Sequence, residues 1–398
     1  MDLYRPMMKS YRPFFITILI SICCTNIYAS STPSPKFVYG TDFEMNFDNR
    51  EYYSSRFSNS MTIFGARLTP TVGLQVSDSK DFSHEIMFGI DIMKDFGASP
   101  APSSVTPENS PELSTDQINA DLFREILIYY TYRKKLGSGD FTLHAGIFPR
   151  KLSEGYYSRA FFSDKMRFYD NNIEGLLMTY KGAGSYFDFG CDWMGMYGNH
   201  RREKFMIFSS GRSSLSKTLS LGYSAYMYHF ACSDDVDGVV DNILINPYIS
   251  LDFGEMTGFS KFSFTAGYLQ GLQHDRKNVG YYVFPFGGEF KADIRKKHIG
   301  LSNELFYGYD MMPYYHSTDK GGYKYTDRLY FGDPFYRIHD NGNTGPGIYD
   351  MVDVYWQKNI SEFLDIRLSV RFHFHSSGYS GTQQLVNLRF NLQRLPLR

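Results

Sequence analysis

The densest run of potential chemistry lies between Phe148 and Asp170. Arg150, Lys151, Arg159, Lys165 and Arg167 stand there among Glu154, Asp164 and Asp170, with Tyr156, Tyr157, Phe161 and Phe162 between them. Fixed charges of both signs on one segment can hold a transverse field across a water-filled passage and bias which solutes enter it. The aromatic rings need burial, which a loop standing in bulk water does not supply. The connection over residues 149–169 is therefore expected to fold inward against its own scaffold. Its rings also offer a surface on which sugar rings could stack.

A second constellation is split between the two ends of the chain. Asp42, Glu44 and Asp48 lie near the start; Arg367, Arg371, His373, His375 and Arg389 lie near the end. Brought side by side, these opposite signs would pair across a seam. His373 and His375 alternate with Phe372 and Phe374, so both imidazoles share a face, but no third ligand follows at a defined spacing. No metal and no cofactor is expected. Ser83-His84 has the residue types of an activated hydroxyl, yet no oxyanion donor is identifiable beside it. A lipid-cleaving enzyme would lose activity on changing His84 or His229; the sequence points instead to no such loss and to no catalytic role.

The elements that must position these residues are strands. From Leu364 to Phe374 the even positions are Leu364, Ile366, Leu368, Val370, Phe372 and Phe374, and the odd ones are Asp365, Arg367, Ser369, Arg371 and His373. Such period-two alternation over about ten residues gives an extended strand with one apolar and one polar face, long enough to cross a bilayer when tilted. The same code predicts sixteen strands, near 36–48, 60–76, 82–96, 120–135, 140–149, 170–181, 184–196, 201–212, 216–231, 242–253, 259–272, 279–293, 298–311, 347–358, 361–375 and 382–395. Connections after even strands are short. Those after odd strands include the long ones, near 97–119, 149–169 and 312–346. Tight turns at one end and long loops at the other are a property of transmembrane barrels.

Composition agrees. The chain has 398 residues, with 41 Lys+Arg against 42 Asp+Glu, a balance that gives no reason to expect nucleic acid. Aromatics make up 18% of it, which suits lipid-facing strands with interfacial girdles. Mean hydropathy is −0.35, so no set of membrane helices is encoded. Residues 1–29 read as a signal peptide: Arg5, Lys9 and Arg12 precede the apolar run from Phe14 to Cys24, and Ala29 ends it. Cys191 and Cys232 remain beyond it, too few for a disulfide framework.

The layout resembles the bacterial general porins: signal peptide, sixteen alternating strands, asymmetric connections and a long loop between strands five and six. In that family the third outer loop folds into the lumen as a constriction, which here implies the 149–169 segment. The resemblance is one of architecture rather than of motif. The chain departs from it at the end, where Leu395-Pro396-Leu397-Arg398 follow the last strand instead of a terminal Phe. Phe47-Asp48-Asn49-Arg50-Glu51-Tyr52 and Gly146-Ile147-Phe148-Pro149-Arg150 look like signatures of uncharacterised porin-like barrels.

The expectation is thus an all-β, up-and-down barrel of about sixteen strands (14–18) over residues 30–398, in the outer membrane of a Gram-negative envelope. Its expected work is passive diffusion of small hydrophilic solutes, narrowed by the inward loop. The expected partners are outer-membrane lipid and those solutes, and the resemblance leaves a homotrimer open. A non-conducting surface barrel that binds glycan or cell ligands through its outer loops is the alternative.

Overall fold

A computed structural model describes residues 34–53, 57–77, 82–97, 123–199, 201–338 and 345–396; of 393–396 only the backbone is described. The predicted signal peptide and most of the 97–119 loop lie outside the described residues. Sixteen strands form one closed antiparallel barrel, each paired with its sequence neighbour and β1 with β16. They are β1 (Lys36–Tyr52), β2 (Met61–Ser77), β3 (Phe82–Asp95), β4 (Phe123–Leu136), β5 (Gly139–Pro149), β6 (Asn172–Lys181), β7 (Ser185–Gly195) and β8 (Lys204–Ser214), followed by β9 (Leu219–Phe230), β10 (Val240–Asp252), β11 (Lys261–Asp275), β12 (Phe286–Lys296), β13 (Ile299–Gly308), β14 (Gly347–Ser361), β15 (Leu364–His375) and β16 (Gly378–Pro396). Closure leaves no strand edge whose backbone groups would face hydrocarbon unpaired.

Alternation assigns the faces. On β3 Met87 and Met93 are buried, whereas Ile86 and Phe88 are more than half exposed. On β10 Leu244, Asn246 and Tyr248 are buried and Ile249 is half exposed. The exposed apolar set faces lipid, and most of the buried residues, apolar and polar together, face the lumen and the segments inside it. The hydrocarbon-facing band therefore consists of the residues that a soluble protein would hide.

Several strand boundaries depart from the sequence reading by three residues or more, and at two of them the local reason is plain. Tyr281, Tyr282 and Phe284 read as the start of strand twelve, yet β12 begins at Phe286. Gly280 takes a positive φ of 75°, and Pro285 has no N–H for the ladder. Strand sixteen begins at Gly378 rather than 382. There Gly378 and Gly381, with φ of 106° and 140°, carry the chain through a two-residue turn and a bulge.

Candidate functional site in the lumen and on the outer wall

The segment between β5 and β6 runs through the barrel interior. Pro149 leads into a 3-10 turn, Arg150–Leu152, and Ser163 caps the short helix α1 (Asp164–Tyr169) by accepting from Met166 N at 3.1 Å. Its charges reach wall strands all round the barrel. Arg150 donates to Asp192 on β7 at 2.6 Å and lies 3.7 Å from Asp170. Lys151 pairs with Asp42 on β1. Arg67 on β2 donates to the carbonyl of Phe168 and to Asp91. Glu154 pairs with Lys181 at 2.9 Å, with both side chains well exposed. Arg167 donates inside its own loop, to the carbonyl of Tyr157 at 2.8 Å.

A second segment shares the lumen, and sequence reasoning assigned it to an outer loop. Between β13 and β14, Met311, Met312, Tyr314, Tyr325, Leu329, Tyr330, Phe335, Tyr336 and Ile338 are all buried. Lumen-facing polar side chains hold its backbone. Asn242 donates to Leu329 O at 3.0 Å, Gln273 to Met311 O at 2.9 Å and Tyr228 to Arg328 O at 3.1 Å. A buried carbonyl without such a partner would be costly, so these wall residues decide where the loop lies. The signal for it was in the sequence: the same density of Tyr, Phe and Met that marked the 149–169 segment.

The two segments pack on each other. Ser163 N donates to Phe331 O and Asp333 N to Arg159 O, each at 2.8 Å. Gly332 lies against the backbone of Ala160, with no room for a Cβ. Arg159 sits at the junction, donating to Asp164 at 2.8 Å and pairing with Asp333; Arg371 on β15 reaches Asp164 at 2.5 Å. Burial pushes the Asp164 carboxyl up, but the charges of Arg159 and Arg371 outweigh it and hold the group well below its ordinary value. Asp333 is lowered the same way, with Arg159 overcoming burial. Lys165 reaches Asp327 at 3.3 Å across the same contact. Phe161, Phe162 and Tyr157 complete a small apolar core with Tyr226 and Phe208.

The expected wall residues all line the lumen, but they do not pair as the sequence suggested. Of the proposed β1–β16 ion pairs only Glu44–Arg389 forms, at 3.2 Å. Asp42 and Asp48 instead accept from Asn391 and Gln383. Arg367 and Arg371 turn to Asp353 on β14 at 2.9 and 3.2 Å. The reason is register: Arg371 lies opposite Asp353, while β1 lies one strand further round. His373 donates or accepts with Tyr349 OH at 3.0 Å, and its ring stacks on Phe335 at 4.6 Å. His375 pairs with Ser380 at 3.0 Å. Both imidazoles are parts of a buried aromatic stack. Ser83 and His84 fall on opposite faces of β3, and His84 pairs with Tyr130 at 2.6 Å. Cys191 and Cys232 are free thiols.

A polar cluster that sequence reasoning did not assemble lies on the lipid-facing side of β9 and β10. His229 alternates with the lumen-facing Tyr228 and Phe230 and so points outward. Its Nδ1 is 3.0 Å from Asp241, opposite it in register, and Arg276 meets the same carboxylate at 2.7 Å. The His229 ring stacks on Phe205 at 4.9 Å, and Phe205 stacks on Trp193 at 5.4 Å. All of these residues stand at the long-loop end of their strands, where an aromatic girdle marks the interface.

Fold, face pattern and girdle define an outer-membrane, porin-like β-barrel. The model of the family described as lipid A 3'-O-deacylase-type matches residues 38–392, and the chain belongs to that family. Membership overturns the expectation of no catalytic role, since the family is named for an enzyme. The solved structure of a loop L8 deletion mutant of OmpT, an outer membrane protein of Vibrio cholerae, is similar in fold at a TM-score of 0.51, with 9% identity over 91% of this chain and all of that one. OccD3 of Pseudomonas aeruginosa is similar at a TM-score of 0.45, with 8% identity over 92% of this chain and 93% of that one. OprD of the same organism is similar at 0.45, with 10% identity over 93% and 95%. No curated protein matches the sequence.

Proposed function

We propose that this barrel hydrolyses ester-linked acyl chains of lipid A in the outer leaflet around it. The observation that carries the reading is the family match, which runs from the first strand to the last and so concerns the whole barrel rather than an appended segment. The physics of access supports it. An acylated lipid reaches the protein by lateral diffusion and meets its outer wall, whereas the outer half of the lumen is filled by two packed segments. The reaction needs only water: its oxygen bonds to the acyl carbon, the ester C–O bond breaks, and a fatty acid and a free hydroxyl result. The test is to reconstitute the full chain in vesicles containing lipopolysaccharide and weigh the lipid A by mass spectrometry. The expected result is loss of one ester-linked chain; an unchanged spectrum refutes the reading.

A second reading, restricted passage of small hydrophilic solutes, is favoured by the inner half of the barrel. Arg389, Lys151, Asp42 and Glu44 keep side-chain exposures of 63, 38, 31 and 28% there, so this part of the lumen is wet. A solute would then pass the charges of the 149–169 segment, with Arg150, Lys151, Glu154, Arg159, Asp164, Lys165, Arg167 and Asp170 as its constriction. Beyond it, a cavity of about 260 Å³ is lined by Glu125, Asp170, Glu174, Asp192, Lys204 and Arg328, among others. Planar-bilayer recordings of the purified protein test this; absence of any ion current at all voltages and salts refutes it.

A further inference from the structure

We infer that the cavity at the long-loop end of the lumen, about 260 Å³, binds a small organic cation, a primary alkylammonium compound; the inference goes beyond both readings above and needs neither. Five carboxylates and two cations line this cavity, and most of them answer one another. Asp192 has Arg150 at 2.6 Å, Asp327 has Lys165 at 3.3 Å, and Arg328 reaches Asp319 at 3.2 Å. Lys204 on β8 feels the charge of Asp170, which also lies 3.7 Å from Arg150. Glu125 on β4 and Glu174 on β6 are left over. Among the described residues no cation pairs with either, and the two like charges act on each other. Each is the third residue of its strand, so both stand at the long-loop end. The Asp170 side chain, 45% exposed, shows that water reaches the cavity.

Asn172 supplies a third acceptor. The residue is only 8% exposed, and its Nδ2 donates to Asp91 at 2.9 Å and to Glu125 at 2.7 Å. Both amide hydrogens are thus spent on wall carboxylates, while Oδ1, beside the cavity that the residue lines, has no donor. A buried acceptor in that state is costly until a donor arrives. Two carboxylates and an amide oxygen therefore lie together, and an ammonium group brings three N–H donors and no acceptor of its own. Charge-assisted bonds of that kind are the strong ones. A water molecule brings two hydrogens and no charge. Among the described residues no three Asp, Glu, His or Cys side chains are grouped to hold a metal ion, so a hydrogen-bonding cation suits the site better than a ligated one. The apolar remainder of the lining suits an alkyl chain: Met194 and the rings of Tyr228 and Phe331, which meet edge to face at 4.8 Å.

Isothermal titration of the purified protein in detergent tests this with n-butylamine as the probe. The comparisons are n-butanol, which has the chain without the charge, and Mg²⁺, which has charge without the chain. E174Q and E125Q are first shown to be folded by heat-modifiable migration on gels. The expected result is saturable binding of n-butylamine by the unaltered chain, weakened about tenfold or more in each variant, and no saturable binding of n-butanol. The inference is overturned by the absence of saturable amine binding, by amine binding of equal strength in folded E174Q, or by n-butanol that binds as tightly as the amine. Mg²⁺ that binds the unaltered chain and displaces the amine overturns it too, in favour of a metal site. Should E125Q misfold, E174Q decides alone. The titration involves neither lipid cleavage nor passage, so both readings above stand whichever way it falls.

Discussion

Among the clusters of polar and charged side chains in the described residues, one inside the barrel and one outside differ in how completely they are satisfied. Inside, Arg159 is shared between Asp164 and Asp333, and Arg371 between Asp164 and Asp353. Each charge there meets its opposite, in a space that excludes most water. Outside, Asp241 is saturated by His229 and Arg276, but the far edge of the imidazole faces the lipid interface. A closed network of buried charges is suited to fixing a conformation, because removing one member strands the others. The lumen cluster thus reads as a lock that holds two loops in place, and the wall cluster as a local pairing of neighbouring strands.

The comparison can be broken from the lumen side first. Arg159→Ala leaves Asp333, whose side chain is only 7% exposed, without its charge partner. A loss of about 3–5 kcal/mol is expected for a broken buried pair. Hydrogen exchange of the amides over 157–170 and 329–336 should accelerate, bilayer conductance should rise, and lipid hydrolysis should persist. Gly332→Ala is expected to cost less, about 1–3 kcal/mol, because the new methyl must push the two segments apart at Ala160. Thermal unfolding, followed with the same exchange-resistant amides, measures it.

Acid sharpens the same contrast. Asp164 and Asp333 are both held below their ordinary values, by Arg159 above all, against the upward push of burial. Each therefore stabilises the folded loops above the unfolded value of about 4. That contribution fades as pH falls through the lower folded values. Protection in the two segments, that is exchange corrected for its base-catalysed intrinsic rate, should be flat from pH 8 down to about 4 and fall only below. The smallest effect is expected at Lys165→Ala, since its pair with Asp327 is exposed on both sides and contributes no more than about 1 kcal/mol. Thermal unfolding and exchange protection should be those of the unaltered chain.

How much of this was legible in the sequence depends on the range of the interaction. Strand number, strand order and faces were, because period-two alternation is local and the hydrocarbon solvent imposes it on each strand separately. The crowding of charges and rings at 149–169 was legible for a similar reason, since it lies within one stretch. The matching course of residues 311–338 was not read, although Tyr325, Tyr330 and Phe335 carry the same signal, because Gly342, Gly345 and Pro346 drew it toward solvent. The β15 pairing was misread because it depends on register. Arg371 lies opposite Asp353, and no single strand contains that information. His229 and Asp241 are the hardest case. They are twelve residues apart in sequence, on different strands, and become neighbours only when β9 and β10 pair.

The most direct test sets R159A beside the unaltered chain in one vesicle preparation and weighs the released fatty acid. If the lumen cluster only locks the two segments, R159A cleaves lipid A at the rate of the unaltered chain. If instead folded R159A loses cleavage, the lumen cluster takes part in the chemistry and the account is wrong.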